Sequence, residues 1–288
     1  MDLPRCAGRV DLAPAGVKRP VAALDARPDG EPRATILMVP GFTGSKEDFL
    51  HLLEPLAEAG VRTVAIDQSG QCDTRGVDDT AAYAVAGPGG GSIFATDIRA
   101  LVADLAAQDT GPVHVLGHSF GGHAVREALV GAESPLPLAS LTLLDAGPAA
   151  VVGQSSVERL KLLLSIETEL TLGQVHELSP VDRHSDPAVR DFLLHRWLSN
   201  EPASLFGMAR RLLGEQDWTG DLKAQLDAWN LPCLVVAGEG EDVWPSPLIS
   251  EMADRLGARY VEIADAGHSP NTDQPAALVK VLADFWLS

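Results

Sequence analysis

Val113-His114-Val115-Leu116-Gly117-His118-Ser119-Phe120-Gly121-Gly122 is the stretch on which the reading of this chain turns. An apolar run ends at Leu116, a Gly-x-Ser-x-Gly turn follows, and a helix-forming run extends over residues 123–130. To lift a serine hydroxyl clear of a strand end, the backbone must bend tightly and hold that serine in a strained conformation. Side chains two positions to either side would collide, and both positions are glycine. A glycine-rich turn with an N-capping serine is the ordinary alternative. A turn set between a buried-type strand and a helix instead marks Ser119 as a candidate nucleophile.

A serine hydroxyl is a weak nucleophile at neutral pH and needs a base within about 2.6–3.2 Å. The candidate is His268, in Ala266-Gly267-His268-Ser269-Pro270. It follows a predicted strand at 259–263 and precedes a predicted last helix at 275–286. That puts it at the carboxyl edge of a sheet, with Ser119, where the active groups of parallel sheets gather. A third group must orient the base. The loop after a strand at 233–237 reads Gly238-Glu239-Gly240-Glu241-Asp242-Val243-Trp244-Pro245 and offers Glu241 and Asp242; Asp145, closing a strand at 140–144, is a further option. An oxyanion would need two donors. The Phe120 N–H follows the serine, and the Phe42 N–H lies in Pro40-Gly41-Phe42, where Pro40 has no N–H to give.

The other histidines are assigned elsewhere. His118 points away from the serine by strand alternation, and His123 flanks it on the other side. His114 belongs to the strand core and His51 to the first helix. His176, His184 and His195 sit in a helical block without metal-ligand spacing. The chain is expected to use no metal and no cofactor.

Around this centre, strands and helices alternate. Two short stretches in residues 1–30 read as an edge hairpin. Then come a strand at 33–39, a helix at 46–59 ended by Gly60, a strand at 61–66, a loop over 67–91 and a helix at 92–108. Alternation means a parallel sheet with helices on both faces, an α/β fold. Gly87-Pro88-Gly89-Gly90-Gly91 lacks the following Gly-Lys-Ser/Thr of a phosphate cradle and reads as a plain loop. From Pro148 the pattern changes: helices are expected at 157–166, 187–198, 202–214 and 221–229, with no strand between them. Residues 1–147 and 231–288 thus read as one core and 148–230 as an insertion lying over the sheet. Phe192, Trp197, Phe206 and Met208 are its apolar residues expected either to pack it down or to line a substrate site.

With 288 residues, 45% of them hydrophobic, the chain is long enough for one large core or a core with an insertion. A formal net charge of −18 argues against nucleic acid or an anionic membrane as partner, and mildly against strongly anionic substrates. Cys6, Cys72 and Cys233 form no disulfide framework. No apolar segment follows Met1-Asp2-Leu3-Pro4-Arg5 as in a signal peptide, and no run of ~18 apolar residues could span a bilayer. A cytoplasmic protein with a small-molecule substrate is expected; composition says nothing of oligomeric state.

The Ser119 turn, the Pro40-Gly41-Phe42 loop, the 238–245 loop and Gly267-His268-Ser269-Pro270, in that order, resemble the α/β-hydrolase family from about residue 33 onward. The resemblance implies a serine hydrolase with a Ser–acid–His triad and a helical cap at about 148–230. It also favours Glu241 over Asp242, because the family's Gly-x-x-Asp, with a proline four residues beyond, registers on Gly238, Glu241 and Pro245 without a gap. There are three departures from the family pattern. The usual His-Gly before the oxyanion residue is Pro40-Gly41. The common Asp-x-Arg-Gly-x-Gly is Asp67-Gln68-Ser69-Gly70-Gln71-Cys72, which weakens the analogy to proline iminopeptidases. The acid is glutamate rather than aspartate. A serine nucleophile also disfavours haloalkane dehalogenase and epoxide hydrolase chemistry. The expected reaction is cleavage of a carboxylic ester of a small to medium, uncharged substrate through an acyl-enzyme. Amidase or aminopeptidase, lactonase, thioesterase and carbon–carbon hydrolase activities stay open on the same scaffold, as does a non-catalytic ligand-binding protein.

Overall fold

The computed structural model describes residues 2–84, 91–108, 110–178 and 186–288. Gly87, Pro88, Gly89, Gly90 and His184 lie outside them. β1 (Ala7–Leu12) and β2 (Val21–Ala26) form the antiparallel opening hairpin. β3 (Ala34–Val39), α1 (Leu50–Glu58), β4 (Val61–Ile66), α2 (Ile93–Ala107), β5 (Val113–His118), α3 (Phe120–Val130) and β6 (Ser140–Leu144) follow in alternation. After β6, among the described residues, come five helices in succession: α4 (Gln154–Ser165), α5 (Leu172–Leu178), α6 (Pro187–Leu198), α7 (Pro202–Gly214) and α8 (Thr219–Trp229). The alternation resumes with β7 (Cys233–Gly238), α9 (Ser246–Leu256), β8 (Arg259–Ile263), the short α10 (Pro270–Asp273) and α11 (Pro275–Trp286).

The eight strands make one sheet in the order β1-β2-β4-β3-β5-β6-β7-β8, parallel from β4 to β8. Every residue of β2 to β7 is buried, as expected where helices cover both faces. Strand alternation divides the core. Leu37 and Val39 join Phe94, Leu101 and Val125 on one face, while Ile36 and Met38 join Phe49, Leu52, Leu278 and Trp286 on the other.

Three details differ from the sequence reading. The first helix begins as a 3-10 turn over Lys46–Phe49 before α1 proper. The 67–91 loop contains a second such turn, Thr80–Tyr83, whose Asp79 side chain accepts the Ala81 N–H. α5 is not legible in the sequence, being seven residues long with glycine at its second position, too short to show two full helical periods. Among the described residues no helix is long and apolar enough to cross a membrane.

Candidate active site

Strand order decides what meets at the carboxyl edge. β3, β5, β6, β7 and β8 are consecutive neighbours, and they end next to Gly41-Phe42, Ser119, Asp145, Glu241 and His268 respectively.

Ser119 has φ +52° and ψ −120°, a backbone region that costs a non-glycine residue about 1–3 kcal/mol. The surroundings hold it there. Its N–H donates to the Leu144 carbonyl at 2.9 Å and its carbonyl accepts the Gly122 N–H at 2.9 Å. A Cβ on Gly121 would overlap the Val39 and Pro40 carbonyl oxygens, and one on Gly117 would overlap the backbone of Gly121. The two glycines therefore allow α3 to start hard against β3 and β5.

The Ser119 hydroxyl donates to His268 Nε2 at 2.9 Å, and His268 Nδ1–H donates to Glu241 Oε2 at 2.5 Å. Glu241 Oε1 accepts the N–H groups of Val243 (2.5 Å) and Trp244 (3.1 Å). Burial pushes the Glu241 carboxyl up, but the hydrogen bond from His268 and the other donors outweigh it and hold it below the usual carboxylate range. Asp242, one residue on, is exposed. The structure thus brings Ser119, His268 and Glu241 into line and leaves Asp242 in solvent. With Nδ1–H committed to Glu241, the Nε2 lone pair faces the hydroxyl, as proton abstraction requires.

The loops carrying these groups are tied together. Gly240 N–H donates to the Ala266 carbonyl at 2.8 Å, and Asn271 Nδ2 donates to the Asp48 carbonyl at 2.7 Å. His118 Nε2–H donates to the His268 carbonyl at 2.8 Å. Its ring thereby anchors the backbone of the base, a role the sequence reading missed. Burial, then the neighbouring His268, push His118 down to about 4, so it is neutral at neutral pH and donates as a plain N–H.

Neither the Phe42 nor the Phe120 N–H donates to another group among the described residues. A Cβ on Gly41 would sit 2.9 Å from Ser119 Cβ, so the Gly41–Phe42 peptide lies against the serine. Two glutamines aim this loop. Gln68 Nε2 donates to the Pro40 carbonyl and Gln71 Nε2 to the Gly41 carbonyl, each at 2.8 Å. The Gly41–Phe42 peptide is trans, as are all peptides among the described residues, so fixing its C=O toward Gln71 turns its N–H to the opposite side. Gln71 is wholly buried. The two glutamines lie in the segment where this chain departs from the Asp-x-Arg-Gly-x-Gly pattern; that departure was the only signal for them.

The same segment is anchored by Lys46. Its Nζ donates to Asp67 and Asp73 at 2.7 Å each, and its N–H to Asp67 at 2.7 Å. Burial pushes Asp67 up to about 6 against the pull of Lys46. Ligand-type atoms of Glu47, Asp67 and Cys72, and of Cys72, Asp73 and His195, lie within 4.8 Å of one another. The Lys46 ammonium already serves Asp67 and Asp73 as their cation. His114 is buried and bonds Ser140 Oγ at 2.6 Å. His123 accepts from Arg126, so neither reaches Ser119.

The 36–281 segment matches the model of the Alpha/beta hydrolase family; the chain belongs to that family and is a hydrolase by class. It is 25% identical, over 253 residues covering 85% of this chain and 83% of the other, to a 2-hydroxy-6-oxononadienedioate/2-hydroxy-6-oxononatrienedioate hydrolase of Cupriavidus pinatubonensis. A protein of the same name from Paraburkholderia xenovorans is also 25% identical, over 89% of this chain and 88% of its own length. Among solved structures, a thermophilic esterase from Thermogutta terrifontis superposes with a TM-score of 0.68 at 22% identity, covering 97% of this chain and 98% of that one. An esterase from Exiguobacterium antarcticum gives 0.71 at 16% identity, over 94% and 96%. At these identities the solved structures speak for the fold.

Proposed function

We propose that this hydrolase cleaves a carboxylic ester of a small to medium, uncharged substrate by covalent catalysis. One observation carries the reading: the unbroken hydrogen-bond line from Ser119 Oγ through His268 to Glu241, at 2.9 and 2.5 Å. Ser119 attacks the carbonyl carbon while His268 Nε2 takes its proton. The amides of Phe42 and Phe120 receive the developing oxyanion. His268 then protonates the leaving alcohol, and Glu241 stabilises the imidazolium between the two transfers. A water repeats the sequence in reverse order on the acyl-enzyme.

Residues 148–230 are proposed as the cap over this site. α7 is joined to the oxyanion segment, with Ser204 Oγ donating to the Ser69 carbonyl at 2.6 Å and Glu201 N–H to the Gly70 carbonyl at 2.9 Å. Met208 sulfur lies 3.7 Å from Gln71 Nε2. Trp197, Phe206 and Met208 are buried and Phe192 half-buried, so most of the apolar side chains noted in the sequence pack the helices rather than face open space.

A second reading, carbon–carbon bond hydrolysis, is favoured by the names of the two curated relatives. Their named substrates are dioates, and the net charge of −18 weighs against a doubly anionic substrate. Fluorophosphonate labelling of wild type but not of Ser119→Ala supports a serine enzyme; folded wild type that resists labelling points to a binding protein. Turnover of p-nitrophenyl esters of graded chain length, set against a 2-hydroxy-6-oxodienoate, then separates the two hydrolytic readings.

A further inference from the structure

Asp145 takes no part in the mechanism above, yet strand order sets it between the strand of Ser119 and the strand of Glu241. Its side chain is fully buried, and its φ of +43° lies in the left-handed region that Asp and Asn tolerate better than other non-glycine residues. Its N–H donates to the Val236 carbonyl at 2.8 Å. Its Oδ1 accepts the Gly238 N–H at 2.8 Å. Its Oδ2 meets no donor among the described residues, and the Glu241 carboxyl is near enough to act on it electrostatically.

Two ionised carboxylates cannot touch out of water at acceptable cost; such a pair holds one proton between them. The donor count says where it resides. Glu241 accepts from the His268 imidazole and from two backbone N–H groups, whereas Asp145 accepts from one. The better-supplied group is the anion, so the proton belongs to Asp145. Electrostatics agree: burial, then the charge of Glu241, push Asp145 far above the usual carboxylate range, and Asp273 adds to this.

We propose that Asp145 stays protonated at neutral pH and donates its Oδ2–H to Glu241, acting as a positioning residue that holds Glu241 against His268. This rests on the reading of Glu241 as the acid of the proposed triad. It also separates two carboxylates that look equivalent in the chain: one orients the base as an anion, the other holds that anion as a neutral donor.

The test exploits the isostere. Asparagine at 145 keeps an acceptor for the Gly238 N–H and supplies an amide donor in place of Oδ2–H, and it tolerates φ +43°. Leucine supplies neither. Asp145→Leu is expected to lower kcat by ~10- to 100-fold, the worth of one hydrogen bond to a charged group, with KM little changed. Asp145→Asn is expected to restore kcat to within ~3-fold of wild type, since a donor is again present. Loss of ~10²-fold or more in Asp145→Asn would overturn the proposal, because an ionised Asp145 would then be orienting His268. Infrared difference spectra keep the test alive if Asp145→Leu does not fold. Wild type minus Asp145→Asn at pH 7 should contain the carbonyl stretch of a protonated carboxylic acid; its absence would equally overturn the idea. Fluorophosphonate labelling of the wild type is run alongside. If it fails, the hydrolase mechanism falls while the infrared band still decides the proton.

Discussion

The carboxyl edge of the sheet and the α4–α6 helices are built in opposite ways. At the sheet edge, Ser119, Asp145 and Glu241 are each less than a tenth exposed. Their loops are cross-linked by backbone hydrogen bonds to neighbouring strands. In α4 only Ser156, Leu160 and Leu163 are buried, and in α6 only Trp197 among the described side chains. Leu162 is 63% exposed, Val152 54% and Leu198 47%, the large apolar side chains most open to water among the described residues. These three lie within one stretch of 47 residues, from 152 to 198, inside the segment proposed as the cap. The proposed function thus places the chemistry where burial and cross-strand hydrogen bonds are densest, and substrate choice where fewer side chains are buried.

The sharpest way to break this comparison is at the serine. Ser119→Ala should leave the melting temperature intact and reduce ester turnover by ~10⁴-fold or more. Near-normal turnover in a purified, contaminant-free preparation would remove the sheet edge as the seat of chemistry. Next in size is the acid pair. Glu241→Gln is expected to lose at least ~10²-fold in kcat and Asp242→Asn under ~10-fold, since removing the acid of a triad costs up to about 10⁴. Crippling by Asp242→Asn instead would mean that the loop takes another register in catalysis.

A smaller effect is expected at Gln71. Gln71→Leu removes the donor that aims the Gly41–Phe42 peptide, without touching the serine or the base. kcat should fall by ~10-fold, less than the ~10²–10³ typical of deleting an oxyanion donor outright, and KM should hold. A raised KM with unchanged kcat would make Gln71 a contact for substrate binding instead. The smallest effect concerns the helices. Leu162→Ser combined with Leu198→Ser should leave kcat on acetyl ester unchanged while shifting preference toward shorter acyl chains by ~3- to 10-fold, as expected from losing apolar contact worth one or two methylenes. An identical chain-length profile would assign those leucines to plain surface.

Much of this site could be read from local pattern. The turn at Ser119 is legible because glycine at 117 and 121 is demanded by contacts only a few residues away. His268 is legible because it lies in the loop between a strand and a helix. Glu241 could be preferred to Asp242 because the family's Gly-x-x-Asp pattern registers on Gly238, Glu241 and Pro245 without a gap. The five helices between β6 and β7 were visible as an interruption of alternation, save α5, which is shorter than two helical periods.

Other relations had no local trace. His118 and the His268 carbonyl are 150 residues apart, Gln71 and the Gly41 carbonyl 30, and Asp145 and the Gly238 N–H 93. Each depends on which strands lie side by side, and alternation of strands and helices constrains that order only loosely. Residue types and their spacing were enough to name a nucleophile, a base and a short list of acids. Which acid meets His268, which histidine holds the backbone of the base and what aims the Phe42 amide depended on packing β4, β3, β5, β6, β7 and β8 in that order. Hydrogen bonds and like-charge contacts act over a few ångströms of space, and distance along the chain does not encode them.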